Sequence, residues 1–227
     1  VDQGFSEITL LGQNVNSYDF EGIKFPELLS AVAEVTGVQR IRYTSPHPQD
    51  INEELLEIMQ KYENICNYIH LPLQAGSNRI LKRMNRTYTK EHFIELVLKI
   101  RDYLPSVGIS TDIIVGFPGE TDDDFEDTID VMKNVNFDSA YTFKYSPRKG
   151  TKATEYDDQI KESIKQERLS RVIALQKSHT LLRNEVYVGN IENILIEKQS
   201  KRNKSMWTGR TDSNKWVVFD KSGYSLN

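Results

Sequence analysis

Two rhythms of apolar residues run along this chain. Up to about residue 186, short apolar runs alternate with stretches whose apolar residues recur every three or four positions. The runs Glu7–Leu11, Arg40–Thr44, Tyr68–Leu71, Ile109–Val115 and Ala140–Tyr145 read as strands. Helical patterns separate them. One begins at Pro26 and carries Leu28, Leu29, Val32 and Val35; another, after Ile51, carries Leu55, Leu56, Ile58 and Met59. A third, capped by Thr89, shows Phe93, Leu96, Val97 and Ile100. Strand and helix alternating at roughly thirty residues is the mark of parallel βα units. Five such units, with glycine or proline after nearly every strand, predict an α/β barrel or part-barrel, and a doubly wound sheet is the alternative.

After the polar loop Ser146–Thr151, the segment from Ile160 to about Tyr187 reads as one long helix with the stripe Ile160, Ile164, Val172, Leu175 and Leu182. Beyond Gly189 the period drops to two, at Ile191, Ile194 and Ile196 and again over Trp216–Phe219. These predict a small β unit, 187–227, behind an α/β unit, 1–186. Lys198, Lys201, Arg202, Lys204, Trp207 and Arg210 lie between its strands. Basic residues interleaved with an aromatic on a small β fold suit RNA phosphates and stacked bases, and a solvated hairpin around a core Trp is the plainer alternative.

The sharpest local signal is Thr111–Phe125, TDIIVGFPGETDDDF. An apolar strand stops at Gly116-Phe117-Pro118-Gly119, and Thr121 with Asp124 forms a capping box that opens a helix. This leaves bare backbone at the carboxyl edge of a sheet, where α/β enzymes bind ligands. An ordinary βα loop would carry the same glycines.

Composition narrows the picture. Of 227 residues, 38% are hydrophobic and 27% charged, with net charge −4, so any nucleic-acid contact must come from local basic patches. No apolar run is long enough to span a membrane, and no segment reads as a signal peptide. The single cysteine, Cys66, excludes an intrachain disulfide and predicts a reducing, cytoplasmic setting. It sits among Ile65, Tyr68 and Ile69 and reads as a buried structural thiol, so no metal ligand is assigned.

The segments EITLLGQNVNSY (Glu7–Tyr18), IRYTSPHP (Ile41–Pro48), IHLPLQAGSNRILKRMNR (Ile69–Arg86), TDIIVGFPGET and FKYSPRKGT (Phe143–Thr151) follow one another in order. Together they resemble the radical S-adenosylmethionine methylthiotransferases. Within them they resemble the tRNA-2-methylthio-N(6)-dimethylallyladenosine synthase branch, the MiaB type. The terminal unit, with TGRTDSNKWVVF, resembles the TRAM domain with which these enzymes hold RNA. The resemblance implies a partial (β/α)6 radical-SAM barrel lacking its first strand, followed by a small all-β TRAM-like domain.

It also implies a chemistry. A 4Fe–4S cluster held by CxxxCxxC cleaves S-adenosylmethionine, a second cluster supplies sulfur, and a methylthio group is placed on C2 of the modified adenosine beside the anticodon. A flavodoxin or ferredoxin would supply electrons, and the partner would be a tRNA anticodon stem-loop. This chain has no CxxxCxxC and does not begin with Met. It therefore reads as a C-terminal fragment, inactive alone and prone to self-association at an open edge. The alternatives are a cluster-free module that binds S-adenosylmethionine or RNA, and a ribosomal-protein methylthiotransferase.

The resemblance also suggests site residues, though none is assigned as catalytic. Gly12, Gln13 and Asn14 fall where these enzymes meet the methionine ammonium. Gln74, Ser77 and Arg86 fall near its carboxylate, for which a hydroxyl and a guanidinium are natural partners. Asp112, Ile114 and Gly116 fall along adenine and ribose, and Tyr145 and Pro147 pack on the adenine. Arg79, Lys82 and Arg83 read as exposed helix charges. On the substrate side stand Ser45 and His47 at a strand mouth, with Lys201, Arg202, Lys204 and Arg210 in the β unit. Glu120 is expected to fix the glycine turn, and His70 to hydrogen-bond internally.

Overall fold

The computed structural model describes residues 2–44 and 46–223. Its elements in order are β1 (Glu7–Leu10), a short hairpin of β2 (Asp19–Phe20) and β3 (Ile23–Lys24), α1 (Phe25–Ala33), β4 (Arg40–Tyr43), α2 (Glu53–Lys61) and β5 (Tyr68–His70). Then come α3 (Asn78–Arg83), α4 (Lys90–Tyr103), β6 (Gly108–Val115), α5 (Asp122–Val135), β7 (Ser139–Lys144) and α6 (Glu162–Glu185). Three strands finish the chain: β8 (Leu195–Gln199), β9 (Met206–Arg210) and β10 (Trp216–Asp220).

The chain divides into two compact units, both discontinuous in sequence. One gathers the residues up to Ile69, Arg101–Gly108 and everything from Tyr187 on; the other holds His70–Ile100 and Ile109–Val186.

In the first unit, β1 and β4 pair in parallel, with Glu7 opposite Arg40 and Leu10 opposite Tyr43. Phe25, Leu29, Ile41, Leu55 and Leu56 are fully buried in its core. Its small sheet runs β10-β9-β8, all antiparallel. The middle strand covers Met206–Arg210, a stretch whose basic neighbours had made it read as a connector. Two arginines of β4 bind this sheet's backbone. Arg42 donates to the carbonyls of Thr211 (2.9 Å) and Asp212 (3.0 Å) and pairs with Glu7 (2.9 Å), and Arg40 donates to that of Asn193 (2.8 Å).

The second unit is built on the parallel sheet β5-β6-β7. One face of β6 (Ile109, Thr111, Ile113, Val115) is fully buried, whereas Asp112 and Ile114 on the other face are only partly covered. α5 opens with the expected capping box: the Thr121 side chain accepts from Asp124 N–H (3.2 Å), and Asp124 Oδ2 accepts from Thr121 N–H (2.8 Å). Gly76 is required where the chain meets α5, because a Cβ there would lie 2.4 Å from Thr128 Cα.

The long helix differs from expectation in an instructive way. Its buried positions are Lys165, Arg168, Val172, Gln176 and His179, whereas Leu182 is 53% exposed. The buried face is polar because each long side chain reaches a partner on the same unit. Arg168 pairs with Glu120 (2.8 Å) and Asp122 (2.6 Å), Gln176 donates to Phe137 O (2.9 Å) and Lys165 donates to Tyr145 O (3.2 Å). Burial is tolerable for such groups only when they are paired. α3, a six-residue helix capped by Ser77, carries Arg79, Lys82 and Arg83, the charges read as helical from sequence.

Candidate functional site

The carboxyl ends of β5 and β6, with the loop after β7, surround a cavity of about 950 Å³ in the second unit. That size accommodates a cofactor-sized ligand. Gln74, Arg86, Asp112, Ile114 and Tyr145 all line it.

Gln74 sits where the chain leaves β5, in a left-handed backbone conformation (φ 69) uncommon for a residue with a side chain. Two bonds to β6 hold it there: its N–H donates to Asp112 O (2.8 Å), and its carbonyl accepts from Ile114 N–H (2.9 Å). Such strain persists only where the surroundings fix it, and it concentrates at ligand sites. Asp112 Oδ2 lies 3.4 Å from His70 Nε2, and His70 Nδ1 lies 2.7 Å from the buried Ser110 hydroxyl. His70 is thus bound internally, as its sequence context suggested, and it aligns the carboxylate at the cavity wall.

Phe117 meets Tyr145 edge to face at 5.1 Å and Tyr156 at 6.4 Å, forming an aromatic corner. The Tyr145 hydroxyl is buried and has no hydrogen-bond partner among the described residues. An orphaned hydroxyl at a cavity wall is a donor and acceptor available to a polar ligand. Glu120 holds the glycine turn: one oxygen accepts from Gly116 N–H (2.8 Å), the other from Arg168, and the pair is 4% and 5% exposed. Burial raises the Glu120 pKa, and the Arg168 guanidinium and two backbone N–H groups oppose that shift.

Other suggested residues lie elsewhere. The Ser77 hydroxyl is buried and donates to Asp124 Oδ1 (2.5 Å) while capping α3, so it works inside the protein. Gly116 presents its amide to Glu120, and Pro147 is exposed on the loop after β7. Gly12, Gln13 and Asn14 are exposed in the first unit, and Ser45 falls outside the described residues. In that unit His47 Nδ1 accepts from Gln49 N–H (3.3 Å). Asn16, which the sequence gave no reason to single out, exchanges two hydrogen bonds with the His47 backbone (2.7 and 2.9 Å).

Lys201, Arg202 and Lys204 are exposed between β8 and β9. Arg210 is different. It pairs with Glu7 (2.9 Å) and Glu197, donates to Asn214 (2.9 Å) and lies over the Trp216 ring. Its donors are engaged within the protein, unlike those of the three exposed cations. From Tyr187 on, seven Lys and Arg stand against four Asp and Glu, so this segment is basic within an acidic chain. Sequence reasoning missed Phe143, Arg148, Lys152 and Tyr156 as cavity residues and took Lys82 for a plain helix charge. The basic loop Ser146–Thr151 was their signal.

The family profile described as "Radical SAM superfamily" matches residues 1–132. This chain belongs to the radical SAM superfamily. The TRAM domain profile matches residues 185–224. Among relatives, a tRNA-2-methylthio-N(6)-dimethylallyladenosine synthase from Acetivibrio thermocellus is 49% identical over 221 residues, 96% of this chain and 46% of that protein. One of the same name from Caldicellulosiruptor saccharolyticus is 50% identical over 217 residues, 94% of this chain and 46% of that protein. The chain thus spans about half the length of the curated relatives it matches. Among solved structures, coproporphyrinogen III oxidase from Escherichia coli, a radical SAM enzyme, superposes with a TM-score of 0.59. The identity is 13%, and the match covers 91% of this chain and 54% of that one. That likeness shows a radical SAM fold, in agreement with the part-barrel and terminal β sheet expected from sequence.

The groups that radical SAM enzymes use can be tested against these residues. The cavity has the room and the polar groups that S-adenosylmethionine would need: an unpartnered hydroxyl, a carboxylate and a guanidinium stand on its wall. A 4Fe–4S cluster does not fit. It needs several thiolates at close spacing, and the one cysteine, Cys66, is 3% exposed, with burial pushing its thiol up to about 11. Among the described residues no three His, Cys, Asp or Glu come together as a metal site, and no helix is long and apolar enough to cross a membrane.

Proposed function

We propose that this chain is the cofactor-binding and RNA-holding portion of a tRNA methylthiotransferase that acts at C2 of N(6)-dimethylallyladenosine. Residues 1–186 serve as part of the barrel and 187–227 as the RNA-holding β domain. The observation that carries this reading is the convergence of Gln74, Arg86, Asp112, Ile114 and Tyr145 on one cavity. The names of the relatives support it.

Each residue takes a part that its surroundings allow. Asp112, held by His70, accepts hydrogen bonds from the ribose hydroxyls. Ile114 and the Phe117–Tyr145 corner exclude water from the adenine. Arg86, exposed and without an ion pair among the described residues, takes the methionine carboxylate. S-adenosylmethionine would supply the methyl group, and its adenosyl group would take up the hydrogen removed from the substrate carbon. The chain's own residues hold and shield it, and no step here runs through Cys66.

Equilibrium dialysis with S-adenosylmethionine tests this directly. The chain should bind it, and Asp112→Ala should weaken binding about tenfold, the loss of one charge-assisted hydrogen bond. No binding by a well-folded chain would end the reading. The isolation of Cys66 favours a second reading, a module that binds S-adenosylmethionine or RNA without chemistry. Deleting the gene and measuring 2-methylthio nucleosides in bulk tRNA separates the two, because only the first predicts their loss.

A further inference from the structure

The cavity carries more positive charge than its proposed cofactor can use. Six cationic side chains line it, with Asp112 as the single acid. Two are already matched: Arg83 pairs with Asp158 (2.8 Å) and stacks on Tyr156, and Lys144 pairs with Glu162. Arg86 suffices for one carboxylate. That leaves Lys82, Arg148 and Lys152, all exposed and none in an ion pair among the described residues. S-adenosylmethionine is itself a net cation, with an ammonium, a sulfonium and one carboxylate. Three unmatched cations around a site for a cation are repulsive unless a further, anionic ligand is present.

Two more observations point to the class of that ligand. The loop after β7 is a built turn: Thr151 N–H (3.1 Å) and Thr151 hydroxyl (2.8 Å) both donate to Arg148 O, and the Thr154 hydroxyl donates to Thr151 O (2.6 Å). It presents Arg148 and Lys152 at the cavity on a fixed backbone. On β7, Tyr141 and Phe143 stand opposite Asp112 and Ile114 in register and are 56% and 51% exposed. Lysine and arginine beside exposed aromatic faces suit single-stranded nucleic acid, whose phosphates and bases need both.

We infer that Lys82, Arg148 and Lys152 form a phosphate-binding rim that holds the single-stranded loop of the RNA substrate over the cofactor cavity, with Tyr141 and Phe143 as stacking faces. This rests on the tRNA reading above.

The test uses the whole chain and a synthetic anticodon stem-loop, with fluorescence anisotropy recorded across a salt series. Replacing the three cations (K82Q, R148Q, K152Q) should weaken RNA binding at least tenfold. It should also flatten the slope of log K against log salt by about 2, three single-strand phosphate contacts at ~0.7 each. S-adenosylmethionine affinity and the melting temperature should stay unchanged. A comparison variant of the β8–β9 loop (K201Q, R202Q, K204Q) should weaken RNA binding separately. Unchanged RNA affinity and slope in the rim variant would overturn the inference. So would a parallel loss of S-adenosylmethionine binding, which would assign the rim to the cofactor. If the unmodified chain binds no stem-loop at all, the tRNA reading itself fails, and this inference with it.

Discussion

Two basic clusters in this chain look alike in sequence and behave oppositely in space. Arg40, Arg42 and Arg210 in the first unit find carbonyls or carboxylates for their donors, and their charge serves to fix one sheet to another. Lys82, Arg148 and Lys152 in the second unit have no such partners among the described residues and line a cavity. A cation matched internally is part of the fold, and one left unmatched at a concave surface is available to a ligand. The difference lies in the acceptors around each group, and neither charge count nor spacing along the chain reveals it.

The contrast can be broken most directly by substituting the matched cations. Arg42→Ala leaves two backbone carbonyls without their donor and Glu7 with Arg210 as its remaining cation, and should cost about 2–4 kcal/mol. Denaturant unfolding that shows less than ~1 kcal/mol would place Arg42 with the free group.

Asp124 comes next. Burial opposes its ionisation, yet hydrogen bonds from Arg79, Ser77 and Thr121 prevail and hold its carboxyl well below the usual carboxylate range. A depressed carboxylate pKa contributes stability that is present above the unfolded value, near 4, and lost as pH falls through the folded value. Melting temperature should therefore drop below about pH 4, and Asp124→Asn should be less stable at pH 7 by about 1–3 kcal/mol while losing less on acidification. A parallel acid profile for the two proteins would contradict this.

Cys66 sharpens the comparison from the buried side. With its thiol pushed up to about 11, alkylation at pH 8 should run on the order of a hundredfold slower than for a free thiol and recover on unfolding. Rapid labelling of the native chain would show that this region opens. The smallest effect belongs to the rim: Lys152→Ala should shift stability by less than about 0.5 kcal/mol, because the side chain supports nothing.

What was legible in the sequence follows the same division between local and distant partners. The five strands and the Thr121–Asp124 cap depend on neighbours in the chain, and they appear within a residue or two of expectation. Gln74 and Tyr145 at strand ends and Asp112 along a strand were singled out through the family resemblance, and all three line one cavity. The polar face of α6 was not legible, because the Gln176 amide nitrogen donates to a carbonyl 39 residues away. Ser77 read as a ligand hydroxyl, yet its partner Asp124 stands 47 residues on, and nothing in the local pattern announces that bond. β9 was hidden by the charges on either side of it.

The arginine clasp on β4 also bears on how the chain comes to be folded during synthesis. Arg42 leaves the ribosome first, while the carbonyls that bind it belong to residues 169 and 170 positions later. At about 5–20 residues per second, those partners follow roughly ten to thirty seconds behind. For that interval the nascent strand waits with its guanidinium hydrated. The first unit can close only after residue 212 has been made.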